Sequence, residues 1–235
     1  MKDRMRAAPR CGHDCADETG ALMRSSRRIP DNPWPHDMGI TVEDRPTALL
    51  ELLWIREAHE LHPHGALPPL LVDTPAGASR AGASAAERVE WEITWPRMWH
   101  AAAEHAGRDQ DRQQFERLQR TAHGSPEREK ILHEMVGPSW RDTFGDPIFD
   151  DDSYQDWSRR GTDTHLSSMR RRMTHSPEHR DLDALIRAWR AGLTKIVTIP
   201  CEGEYSHKIT PNALLMTDAT RNDSDSYQRA LDSFR

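Results

Sequence analysis

The sequence predicts an α+β fold: mainly an α-helical bundle, closed at its C-terminal end by a small antiparallel β-meander and a terminal helix. Three observations carry this. Apolar residues recur at helical spacing from about residue 46 to residue 191. The chain then turns to short apolar and β-branched runs separated by turn residues. The first 43 residues show neither period.

Residues 1–43 read as a disordered tail and 44–235 as one α+β domain, with a helical part over 44–192 and the meander plus helix over 193–235. The tail holds Pro9, Pro30, Pro33 and Pro35 among charges that cancel. Little apolar surface is available there to offset chain entropy. Met38 suits an alternative start. Helix about 46–62 (PTALLELLWIREAHELH) takes Asp44 as cap and Pro46 in its first turn, and Pro63 ends it. Residues 63–83 are rich in Pro, Gly and Ala and read as a linker. Ser84 and Glu87 form a capping box for a helix with Trp91, Trp95, Met98 and Trp99 on one face, and Pro96 should kink it. A polar helix covers 108–122. Ser125-Pro126 opens another, ended by Gly137-Pro138, and Trp140 and Phe144 anchor a short turn or helix.

Residues 145–161 read as an Asp-rich loop. A short helix follows at 162–173, and Ser176-Pro177 opens one over 177–191. Strands are expected at 195–200, 204–210 and 213–217, with turn signals at 201–203 and 211–212, then a helix over 223–233.

Composition bounds the function. Only 36% of the 235 residues are hydrophobic, and Leu, Ile, Val and Phe together number 37. That is below the ~20% share at which disorder competes with folding. Eight Trp and a net charge of only −6 favour a folded domain with polar, flexible parts. The slight acidity argues against a nucleic-acid-binding domain. The excess of 28 Arg over 4 Lys matches the codon usage of a GC-rich bacterial genome. No apolar run reaches membrane-spanning length and the first residues lack a secretory h-region, so a cytoplasmic protein without membrane contact is expected. Three cysteines do not make a disulfide scaffold.

The first site candidate is His59, His62 and His64 in H-E-L-H-P-H. Imidazole is a common zinc ligand, and on a helix His59 and His62 would lie one turn apart, with Glu57 or Glu60 as a fourth ligand or base. The spacing departs from H-E-x-x-H, and a polar helix end explains the same residues. Cys11, His13 and Cys15 offer three ligands at most. Asp146, Asp150, Asp151, Asp152 and Asp156 fail the EF-hand pattern and are balanced by following arginines. Arg170, Arg171 and Arg172 are the one basic run that would suit phosphate. The spacing of Trp91, Trp95 and Trp99 is that of a buried helix face. Cys201 has carboxylates nearby that oppose its ionisation. No nucleophile elbow, P-loop or dinucleotide fingerprint occurs. The expectation is therefore a non-enzymatic interaction or regulatory protein with a protein partner and no cofactor. The alternative is a zinc-type metal-dependent enzyme built on His59, His62 and His64.

Overall fold

A computed structural model describes residues 21–23, 33–77, 84–109, 112–172 and 176–234, without the side chains of 21–23, 112 and 170–172. In chain order the elements are β1 (Ala21–Met23), β2 (Ile40–Asp44), α1 (Thr47–Ala58), α2 (Ala85–Ala106), α3 (Arg112–Arg120), α4 (Pro126–Val136) and α5 (Trp140–Phe144). A 3-10 turn at Pro147–Asp150 leads to α6 (Asp152–Arg172), α7 (Pro177–Arg180), α8 (Leu182–Arg190), β3 (Lys195–Ile199), β4 (Ser206–Thr210), β5 (Ala213–Thr217), α9 (Asp218–Asn222) and α10 (Ser224–Asp232). Among the described residues no helix is long and apolar enough to cross a membrane.

The chain is mixed helix and sheet, as the α+β expectation has it, but the sheet is not a meander. Its order is β1-β2-β3-β5-β4. The three inner strands are parallel, β2 to β3 and β3 to β5, and the two outer pairings are antiparallel. Burial explains the correction. Every residue of β3 (KIVTI) and β5 (ALLMT) is buried, whereas β4 (SHKIT) exposes its first three. Strands apolar on both faces belong inside a parallel sheet, so the polar β4 is displaced to the edge.

The helices do not form one bundle either. They divide between the two faces of the sheet. Leu52, Leu53, Trp54, Trp95, Trp99 and Trp140 pack with Val197, Ile199 and Leu215 on one face. Leu185, Ala188, Tyr227 and Leu231 pack with Ile40, Val42, Ile196, Leu214 and Met216 on the other.

Structure also begins earlier than residue 44. Ile40 and Val42 are buried on one face of β2, and Met38 and Trp34 are buried before it. The Trp34 Nε1–H donates to the Met38 carbonyl at 3.1 Å. Burying Ile and Val side chains stabilises by roughly 1.5–3 kcal/mol each, which offsets part of the cost of ordering so short a strand.

Local signals place the helices well. Ser84 and Glu87 bond each other's backbone N–H groups, closing the box. Ser125 and Ser176 cap α4 and α7 through their hydroxyls. Asp44 does not cap α1; Pro46 occupies that position, and Asp44 is bonded elsewhere. Helix α6 starts at Asp152, ten residues before the expected helix, because Tyr154, Trp157 and Gly161 form a buried face at helical spacing.

Candidate functional site

Because β2, β3 and β5 run parallel, their carboxyl ends share one edge of the sheet. The residues leaving that edge are Arg45, Pro200-Cys201 and Asp218-Ala219. With Leu71–Asp73 and the α6 residues Trp157, Gly161 and Thr164 they enclose a cleft of about 200 Å3. In open α/β sheets, ligands characteristically bind outside the carboxyl ends of the strands.

Each wall is held by identifiable bonds. Arg56 donates to the carbonyls of Pro68 and Pro69, both at 2.7 Å, and Glu57 accepts the Leu71 N–H at 2.7 Å. The first part of the segment read as a linker is therefore fastened to α1. Trp157 donates its indole N–H to the Asp73 carbonyl at 2.9 Å, and Arg160 pairs with the Asp73 carboxylate at 3.2 Å.

Arg45 is the cation of the cleft. Its N–H extends the β2–β3 ladder by donating to the Thr198 carbonyl at 3.0 Å. Its φ of 59° lies in the left-handed region, which an L side chain adopts at a cost. Its guanidinium rests against Gly161: a Cβ there would come within 2.5 Å of Nη2. The mid-helix glycine thus makes room for the arginine.

The electrostatics of Arg45 differ from those of two other arginines. Burial lowers its pKa, and the carboxylates of Asp218, Asp44 and Asp73 only partly offset that. For Arg221 burial alone would also lower it, but Glu178 and Asp44 reverse the sign and hold it above its ordinary value. Arg141 is likewise raised, by Glu51 and Asp146. At Arg45 the effect of burial outweighs its carboxylates, two of which, Asp73 and Asp218, line the cleft with it; at the other two arginines the carboxylates prevail.

Beside Arg45 lies a buried polar network. Asp44 accepts from Thr198 Oγ1 and from Arg221 Nη1, each at 2.9 Å. Arg221 Nε donates to Glu178 at 2.7 Å, and the Tyr227 hydroxyl approaches the same carboxylate at 3.4 Å. Glu178 is fully buried. The network ties the end of β2 to α7, α9 and α10.

The histidines expected to hold zinc are not brought together. His59 is the C-cap of α1, and its ring stands edge-on to Trp54 (5.6 Å) and Trp91 (5.2 Å). Its Nε2 is buried without a hydrogen-bond partner, and burial, reinforced by Arg88, lowers its pKa. The chain then reverses through Glu60, at φ 52°, with Leu61 donating to the Arg56 carbonyl and Glu60 to the Glu57 carbonyl. These are the two bonds of a Schellman stop. The helix ends at Ala58, so His59 and His62 do not share a helical turn. His62 is exposed, 3.9 Å from Glu92, and His64 is exposed. Among the described residues no group of three or more His, Cys, Asp or Glu could hold a metal ion.

Cys11, His13 and Cys15, and the side chains of Arg170, Arg171 and Arg172, lie outside the described residues. Trp91, Trp95 and Trp99 are core, with Trp95 stacked on Trp99 at 5.3 Å. In the acidic segment Asp146 pairs with Arg141 and Asp156 with Arg159. Burial pushes the Cys201 thiol up to about 12, which leaves it a poor nucleophile. Arg45 escaped sequence reasoning because its significance depends on Gly161, far away in the chain.

Compared with known proteins, the chain matches no family model, no curated protein and no solved structure.

Proposed function

We propose that the protein is a non-enzymatic regulatory protein whose input is a small organic anion bound in the carboxyl-edge cleft. The observation that carries this is Arg45: a half-buried guanidinium, held in a strained backbone, seated on a glycine and the one cation lining the cleft among the described residues. A carboxylate is the matching partner, since it accepts the planar fork of an arginine in two parallel bonds. Leu71, Trp157 and Pro200 would receive an apolar body. The volume is below the ~300–1,000 Å3 of sites for drug-sized ligands, so the ligand is compact. Asp44, next in the chain, connects Arg45 to Arg221 and Glu178, through which occupancy reaches α9 and α10.

Thermal unfolding with phenylacetate, and with uncharged phenylacetamide, tests the proposal. A ligand at 100 times its Kd stabilises by about 2.7 kcal/mol. Phenylacetate should raise the midpoint of the native chain and leave that of Arg45→Asn unchanged; asparagine tolerates the left-handed backbone, so the charge is removed without added strain. Equal shifts in both proteins, or equal shifts from the amide, would refute an anion site at Arg45.

A further inference from the structure

The chain has a second, larger cleft, of about 340 Å3, on the face of the sheet that carries the Trp-rich core. Its walls include Ala102 and Ala106 of α2, Phe115 of α3, and Met135 and Val136 of α4. Five charged residues also line it: Glu43, Arg108, Asp109, Glu134 and Lys195. Of these, Lys195 and Glu43 are neighbours across the sheet, from β3 and β2. Lys195 Nζ lies 2.6 Å from Glu43 Oε2 and donates to the Arg108 carbonyl at 2.9 Å. The lysine side chain is 3% exposed and the glutamate 22%.

The choice of lysine is informative. Of 32 cationic side chains in the sequence, 28 are arginine. Among the described residues the other buried cations are Arg56 and Arg221. Arginine pins carbonyls and carboxylates with more donors and keeps its charge, so it serves a purely structural pair better. A buried ion pair is also a poor source of stability, because desolvation consumes most of the attraction. What lysine offers and arginine lacks is an amine that can lose a proton and become a nucleophile.

We propose that Lys195 captures a small apolar aldehyde or ketone in this cleft as a reversible imine, with Glu43 moving the protons. The Lys195 ammonium gives one proton to the Glu43 carboxylate, and the nitrogen lone pair then forms a bond to the carbonyl carbon. The carbonyl π pair moves to oxygen, which is protonated; the nitrogen's surplus proton passes through Glu43. The resulting hydroxyl leaves as water while the nitrogen lone pair forms the C=N bond. Ammonium plus carbonyl gives iminium plus water. Charge is conserved, nothing is oxidised or reduced, and Glu43 ends as the carboxylate facing the iminium. The apolar walls hold the carbon body.

The test is peptide mapping of the full chain after incubation with hexanal and cyanoborohydride, which reduces an iminium to a stable secondary amine. The folded chain should carry the adduct at Lys195, saturating with hexanal, ahead of the exposed Lys130 and Lys208. Glu43→Gln should slow Lys195 labelling by about 100-fold, the lower end of general acid–base contributions, without changing labelling of Lys130. Labelling of Lys195 no faster than of Lys130 and Lys208, or none in the folded native chain, would overturn the proposal. That result needs no variant to fold.

Discussion

Gly161 lacks a side chain where the Arg45 guanidinium needs the space, and this one contact yields a prediction about their coupling. In an ordinary helix interior, Gly→Ala stabilises by roughly 1 kcal/mol. Here Gly161→Ala should stabilise by less than that, because the added methyl must push aside the Arg45 guanidinium, the movable end of a flexible side chain. In an Arg45→Asn background the same change should regain its full ordinary stabilisation. Urea unfolding of the four proteins measures the coupling; two additive effects would remove Gly161 from the account. Cys201 gives a second prediction at this scale. Its thiol is pushed up to about 12 from 9.0, chiefly by burial. At pH 8 the folded chain should hold about 1,000-fold less Cys201 thiolate than the unfolded chain, and iodoacetamide should label it correspondingly slowly. The sign for stability follows: a raised folded pKa contributes stability present below about 9 and lost as pH rises toward 12.

At the scale of elements, helix starts were legible and strand partners were not. Ser84, Ser125 and Ser176 act within three residues of themselves, so their capping is written locally. The positions of β3, β4 and β5 were also legible, from apolar runs and turn residues. Their pairing was not, because β3 meets β2 across more than 150 residues of intervening chain. Helix α6 hid behind its acidic start, although aspartates suit the first turn of a helix. Tyr154, Trp157 and Gly161 were the signal available. The network joining α7, α9 and β2 carries its own prediction. Glu178→Ala leaves the buried Arg221 with only Asp44, and removing one partner of a buried pair costs about 3–5 kcal/mol. Urea unfolding should show a loss of that size; a loss under about 1 kcal/mol would show the pair to be relaxed by water.

At the scale of the whole molecule, a chain poor in Leu, Ile and Val builds its interior on two faces of one sheet. Tryptophan supplies much of one core. Residues before 44 belong to this interior, which composition alone concealed: Trp34 and Met38 are isolated apolar residues in a polar stretch. A chain beginning at Met38 loses buried Trp34, its bond to the Met38 carbonyl and its contact with the His179 ring at 5.2 Å. It should be less stable than the full chain by about 3–5 kcal/mol, the cost of deleting a buried aromatic. Equal urea midpoints for the two would contradict the packing of this segment. The three histidines of the zinc alternative are close in sequence, but one turn of backbone separates a half-buried ring set between two tryptophans from two exposed ones.

The central claim is that the carboxyl-edge cleft binds a compact anion through Arg45. Isothermal titration of phenylacetate into the native chain, Arg45→Asn and Gly161→Ala tests it most directly. The account predicts one site per native chain, no measurable binding to Arg45→Asn, and weakened binding to Gly161→Ala, whose methyl displaces the guanidinium. Undiminished binding to Arg45→Asn, or no binding to the native chain by phenylacetate or by the smaller acetate, would contradict it.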